Sequence, residues 1–200
     1  MPKIKAVIFD LDGTLIRLPV DWRGVKARIS SELRKPVRSI IELYAELWGS
    51  KEYDRISRIV EEYEIMAADQ YEILDDSPTV LARLSCKYAL ALVTLQTSKL
   101  ATSILEDMGV LDLFSVIVGR DLVPIREKQI KAVLKYGGWK PQEVAMVGDL
   151  GNDVEAALKV GCHAILVDRG YGSVVEKYRR EKIVPVIKDL RELDSILKVA

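Results

Sequence analysis

Long apolar runs are missing from this 200-residue chain, and no stretch approaches the roughly 20 residues that a bilayer-spanning helix needs. Net charge is missing too. Thirty acidic and thirty basic side chains cancel, so the composition offers no attraction for nucleic acid or for an acidic membrane surface. Cysteine is scarce: Cys86 and Cys162 have neither metal-ligand spacing nor a disulfide framework, and their apolar contexts predict reduced, buried thiols. Asparagine occurs once, at Asn152, and glutamine four times. With the high charge density, this shortage of amides fits a heat-adapted protein. The N-terminal MPKIKAVIFDLDG holds a short apolar stretch, but Asp10 interrupts it and no small-residue cleavage site follows. A signal peptide is therefore not expected, and the cytoplasm is the expected compartment. No internal repeat or low-complexity segment is evident.

What is present is a chain of ordinary apolar content, 49%, long enough for one good core and a small accessory domain. Short runs rich in Val and Ile recur at 4–10, 88–94, 114–119, 143–149 and 163–168, with a weaker one at 183–187. None alternates, as expected of strands covered on both faces. Helical spacing fills the gaps at 98–109, 127–138 and 152–161, and each of these segments stops at glycine. Strands alternating with helices predict an α/β fold, a doubly wound parallel sheet with right-handed crossovers.

Residues 17–76 break the alternation. Apolar stripes at Trp22, Val25, Ile29 and Leu33, at Ile40, Leu43, Tyr44 and Leu47, and at Ile56, Ile59, Val60 and Tyr63 predict three helices and no strand. Pro36 is expected to end the first. Asp75, Asp76, Ser77 and Pro78 read as the return linker, with Asp76 or Ser77 capping a helix over 79–86. The expected division is a core of 1–16 and 77–200 with an inserted helical cap, or lid, of 17–76.

Functional groups of open α/β sheets lie beyond the carboxyl ends of the strands. The polar residues ending the apolar runs are Asp10 with Asp12, Thr94 with Gln96, Gly119-Arg120-Asp121, Asp149 with Asp153, and Asp168. Three of these groups are rich in carboxylate, which suits a hard, oxygen-seeking cation such as Mg²⁺. Asp10 and Asp12, two apart, can share one side as the strand ends. Gly13 lets the backbone turn and bring its N–H groups close to an anion. A carboxylate beside a metal can attack phosphorus, and a second can hand a proton to the leaving oxygen and later take one from water. Arg17, leaving this loop for the lid, is a candidate contact for a charged substrate tail. His163 opens a strand at the opposite end and is expected to be structural. Asp168, Arg169 and Tyr171 are expected in a loop near the site.

FDLDGTL (9–15), the strand ending in Thr94 and GDLGND (148–153) together resemble the haloacid dehalogenase superfamily, specifically its phosphatases. The likeness covers most of residues 1–15 and 77–170, and the helical insertion is similar to that family's first type of cap. The resemblance implies Asp10 as nucleophile and Mg²⁺ ligand, and Asp12 as general acid/base that also offers its backbone carbonyl to the metal. It implies the Thr94 hydroxyl as a hydrogen-bond donor to the transferring phosphoryl group, where Leu95 departs from the family's usual polar neighbour. It implies Asp149 as a direct Mg²⁺ ligand and Asp153 as a residue that binds a metal water and orients a lysine. The lysine assigned is Lys128, at a helix start that would add its own dipole. The sequence KQIK differs here from the family's usual KPxP, and Arg126 and Lys131 remain rivals.

The expected function is Mg²⁺-dependent hydrolysis of a small phosphorylated metabolite, in the manner of phosphoglycolate phosphatases, through an aspartyl-phosphate. Two alternatives stand beside it: a sugar phosphomutase using the same aspartyl-phosphate, and a non-catalytic binding protein on the same scaffold. Neither nucleic acid nor membrane is expected as a partner, and monomer and homodimer remain open.

Overall fold

The computed structural model describes residues 3–170, 173–181 and 183–198. Its strands are β1 (Ala6–Phe9), β2 (Ile16–Arg17), β3 (Glu72–Ile73), β4 (Ala89–Val93), β5 (Phe114–Val118), β6 (Val144–Gly148), β7 (His163–Val167) and β8 (Val186–Ile187). Its α-helices are α1 (Trp22–Leu33), α2 (Ile40–Leu47), α3 (Lys51–Ala68), α4 (Ser77–Ser85), α5 (Ser98–Asp107), α6 (Arg126–Gly137), α7 (Gly151–Val160), α8 (Ser173–Glu181) and α9 (Leu193–Ile196). Six strands form one parallel sheet in the order β5-β4-β1-β6-β7-β8. The α/β, doubly wound architecture is thus the one the apolar runs predict.

The lack of alternation has a direct cause. Val7 and Phe9 of β1 enter the core on one face of the sheet, with Leu81, Leu84, Ile104 and Leu105 of α4 and α5. Ala6 and Ile8 enter the core on the other face, with Ile130, Val133, Val154 and Ala157 of α6 and α7. A strand buried on both faces has no face left for polar residues.

A third apolar cluster belongs to the helical cap: Val25 and Ile29 of α1, Leu43 and Tyr44 of α2, and Ile56 and Val60 of α3 pack together. Each of these helices starts at a side-chain cap. Asp21 accepts from the N–H of Gly24, Ser39 from Glu42 and Ser50 from Tyr53.

Four local expectations need correction. The insertion is not purely helical: β2 and β3 pair antiparallel, Ile16 with Ile73 and Arg17 with Glu72, and form a two-stranded ribbon where the chain leaves and rejoins the core. The first cap helix ends at Leu33, before Pro36, through Arg34 in the left-handed conformation. Helix α4 has no side-chain cap: Asp76 takes a left-handed backbone at φ 53°, and the Ser77 hydroxyl donates instead to the carbonyl of Leu15. Cys86 is exposed at the end of α4, whereas Cys162 is buried. Among the described residues no helix is long and apolar enough to cross a membrane.

Candidate active site

Asp10 is the first residue past β1, and its N–H still donates to Val147 of β6 at 3.0 Å. Asp149 is the first residue past β6, so two adjacent strands end in carboxylates. Asp153 joins them from the first turn of α7, where its Oδ2 accepts from the N–H of Leu150 at 3.2 Å. Two glycines make room. Gly13 has φ +85°, and a Cβ there would lie 2.2 Å from Asp149 Oδ2. A Cβ on Gly148 would lie 2.4 Å from the Asp153 carboxylate. The result is a buried group in which Asp10, Asp149 and Asp153 each bring an oxygen within 4.8 Å of the others.

One guanidinium is set into this group. Arg126 opens α6, and its Nη2 donates to Asp10 Oδ1 at 2.6 Å. Its Nε lies 2.8 Å from Asp153 Oδ1, yet the N–H is not aimed along that line, so this is an ion pair without a hydrogen bond. Nη1 donates to Gln129 Oε1, three residues on along the same helix face. Gln129 in turn donates to the carbonyls of Thr94 and Val118 at 2.7 and 3.3 Å.

This corrects the expected cation. Lys128 lies on the exposed side of α6 and reaches none of the carboxylates. Lys131 is on the outside as well, paired with Glu127 at 2.6 Å. Two residues are about 200° of helical turn, and the buried face runs through Arg126, Gln129, Ile130, Val133 and Leu134. Arg17 is likewise absent from the carboxylate group: it is exposed on β2 and pairs with Glu72 across the ribbon at 3.2 Å.

Asp12 sits to one side of the group, its Oδ1 accepting from the N–H of Leu18 at 2.8 Å. The turn between Asp12 and Leu18 is held from outside by Arg169, which donates to the carbonyls of Gly13 and Thr14 at 2.9 and 3.0 Å. Arg169 also pairs with Asp75 of the return linker at 2.7 Å. Asp168 instead pairs with Arg179, and Tyr171 falls outside the described residues. His163 lies at the start of β7, close to the carbonyl of Gln142.

Thr94 is the first residue past β4 and is fully buried. Its hydroxyl donates to Gln96 Oε1 and accepts from the Gln96 N–H. Sequence reasoning left Gln96 without a role and gave none to Arg120. Arg120 is fully buried. It donates through Nη1 to Glu64 of α3 at 2.7 Å and to the carbonyl of Leu95, and through Nε and Nη2 to the hydroxyl and carbonyl of Ser57. Its own carbonyl accepts from the Tyr53 hydroxyl at 2.6 Å, and its backbone N–H donates to the Gln96 carbonyl. One arginine thus ties the cap helix to the loop that carries Thr94. A cleft of about 470 Å³ is lined by residues of both the cap and the core. Ile41 lines it from the cap; Leu150, Asn152, Glu155, Lys177 and Tyr178 line it from the core, starting one residue past Asp149.

The electrostatics of the carboxylate group are one-sided. Burial pushes Asp10 well above the ordinary carboxylate range, against the pull of Arg126. Burial and then the nearby Asp153 push Asp149 up to about 7. Burial raises Asp153 despite Arg126 and lifts Asp12 to about 6 against the N–H groups of Leu18 and Gly13. A single guanidinium does not balance these acids, and Asp153 Oδ1, buried, has no hydrogen-bond donor. A carboxylate oxygen that accepts no hydrogen bond, beside two more buried carboxylates, fits a small divalent cation, and all-oxygen donors suit Mg²⁺.

A family model for haloacid dehalogenase-like hydrolases matches residues 23–167. A phosphoglycolate phosphatase of Chromobacterium violaceum is 32% identical over 192 residues, covering 84% of this chain and 86% of its own. Among solved structures, a HAD phosphatase of Thermococcus onnurineus superposes with a TM-score of 0.62 at 26% identity, over 97% of this chain and 98% of its own. A haloacid dehalogenase-like family hydrolase of Streptococcus pneumoniae gives 0.72 at 18% identity, over 96% and 98%.

Proposed function

The chain belongs to the haloacid dehalogenase-like hydrolase family and is a phosphatase, and on that footing we propose that it hydrolyses a small phosphorylated metabolite of the phosphoglycolate kind with Mg²⁺ as cofactor. The observation that carries this reading is the convergence of Asp10, Asp149 and Asp153 within 4.8 Å around one guanidinium. Asp10, Asp149 and Asp153 would hold the cation, which supplies charge neutralisation for the phosphoryl oxygens and for the attacking carboxylate.

The residues divide the remaining work. Arg126 holds Asp10 through Oδ1 and leaves Oδ2 to attack phosphorus. The ester P–O bond breaks as the Asp10–phosphorus bond forms, and Asp12 gives a proton to the departing oxygen. Asp12 then takes a proton from the water that hydrolyses the aspartyl-phosphate. Its Oδ1 is fixed by the Leu18 N–H, so the other oxygen is the one that exchanges protons. Arg126 adds charge beside the phosphoryl group, as a fixed fork where a lysine would be a mobile point charge. The helical cap, packed over the strand ends through Arg120, would exclude bulk water from the reacting groups.

The test is phosphate release from an aryl phosphate with and without Mg²⁺, then a screen of several dozen phosphorylated metabolites. Asp10→Asn is expected to lower turnover by about 10⁴-fold or more. Undiminished hydrolysis by Asp10→Asn, or full activity in excess chelator, would sink the reading.

A further inference from the structure

Gln96 is 4% exposed, and its side chain bridges two buried groups of opposite demand. On one side is Glu64 of α3, whose Oε1 lies 3.5 Å from Gln96 Nε2. On the other is the Thr94 hydroxyl. The orientation of the amide follows from chemistry. Arg120 already donates to the other oxygen of the Glu64 carboxylate, which leaves Oε1 for the amide nitrogen. The nitrogen therefore faces Glu64, and the oxygen, which can only accept, faces Thr94.

A threonine hydroxyl has one proton to donate, and here it goes to Gln96. The Thr94 oxygen also accepts from the Gln96 N–H at 3.2 Å, but its single proton can go to only one acceptor at a time. We propose that Gln96 is a positioning residue that competes with the phosphoryl group for the Thr94 proton, and that the cap sets the strength of this competition through Glu64. The inference rests on the proposed role of Thr94 as phosphoryl donor. With α3 seated and Glu64 fixing the amide, the hydroxyl is occupied. When phosphate binds, the proton turns to it and Gln96 Oε1 is left to find another donor. The Arg120–Glu64 pair supports the arrangement from behind, because the same guanidinium holds both Glu64 and the carbonyl of Leu95.

The experiment measures inorganic phosphate as a product inhibitor, and by calorimetry as a ligand of the Mg²⁺-loaded protein. Gln96→Met keeps length but removes the acceptor, and it is expected to tighten phosphate binding about 5-fold, the equivalent of one ordinary hydrogen bond. In a Thr94→Val background the same change is expected to do nothing. Gln96→Ala, which removes bulk as well, is expected to match Gln96→Met where Thr94 is present. Glu64→Gln lets either end of the amide face it and should shift binding in the same direction by less. Weaker or unchanged phosphate binding in both Gln96 variants would overturn the proposal, since a merely structural glutamine gives a loss and never a gain. A gain that persists in the Thr94→Val background would overturn it as well. The Asp10→Asn control reads separately on the reaction itself, so a failure there is distinct from a failure here.

Discussion

Around Arg120, one buried guanidinium faces one buried carboxylate, Glu64, and four of its N–H directions find acceptors. Around Arg126, one buried guanidinium faces the carboxylates of Asp10, Asp149 and Asp153, with Asp12 close behind, and an oxygen of Asp153 has no donor. Both clusters lie at the carboxyl ends of the strands, the first joined to the cap through Glu64 and Ser57. The first is balanced by the protein alone and behaves as a joint. The second gathers more carboxylate than its one guanidinium matches, and the proposed cation site rests on that imbalance.

The largest expected effect breaks the joint. Arg120→Met strands Glu64 without a partner and is expected to lower stability in urea by about 3–5 kcal/mol. Arg120→Met with Glu64→Leu is expected to recover most of it; equal losses in both variants would show that the two charges are not coupled. Next, Arg126→Met is expected to lower kcat/KM by about 10²–10³-fold, as the loss of a fixed donor at a reacting centre does. Arg126→Lys is expected to recover only part, because the fork is lost.

The third expectation tests the deficit directly. Mg²⁺ at a hundred times its Kd is expected to stabilise the chain by about 2.7 kcal/mol, a rise of roughly 5–10 °C in Tm for a domain of this size. Asp149→Asn should abolish the rise and Glu64→Gln should preserve it. Equal rises in all three proteins would erase the distinction between the clusters.

The smallest effect is one of pH. Burial holds Glu64 at about 7, against an ordinary value of 4.5. Between these values the native chain keeps a proton that the unfolded chain has lost, so the contribution of Glu64 to stability falls as pH rises from 4.5 towards 7. The slope is about 1 kcal/mol per pH unit. Glu64→Gln should lower the total slope by that amount, while the raised aspartates keep contributing in the same direction. An unchanged slope in the variant would assign all of it to the aspartates.

The two clusters also differ in how legible they were. Asp10, Asp149 and Asp153 stand in short motifs at strand ends, and the strand-end rule with the family resemblance pointed to them together. Arg126 needed one step more. Counting back four from Ile130 and eight from Leu134 puts it on the buried face of α6, whereas Lys128 was favoured by residue type and falls on the outer face. The partnership of Arg120 with Glu64 joins positions 56 apart and leaves no periodic trace. The β2–β3 ribbon is two residues long on each side, too short to register as a strand pattern. Cys86 sits in an apolar stretch, yet that stretch is a helix end at the surface.

That ribbon has a consequence for ancestry. By pairing Arg17 with Glu72, it brings the two ends of the intervening segment to about 5 Å apart, the width of a tight hairpin. A stretch whose ends already touch can be lengthened, traded or trimmed in a lineage while the six-stranded sheet keeps its register. Changes inside that segment then leave the strand ends and their carboxylates in place.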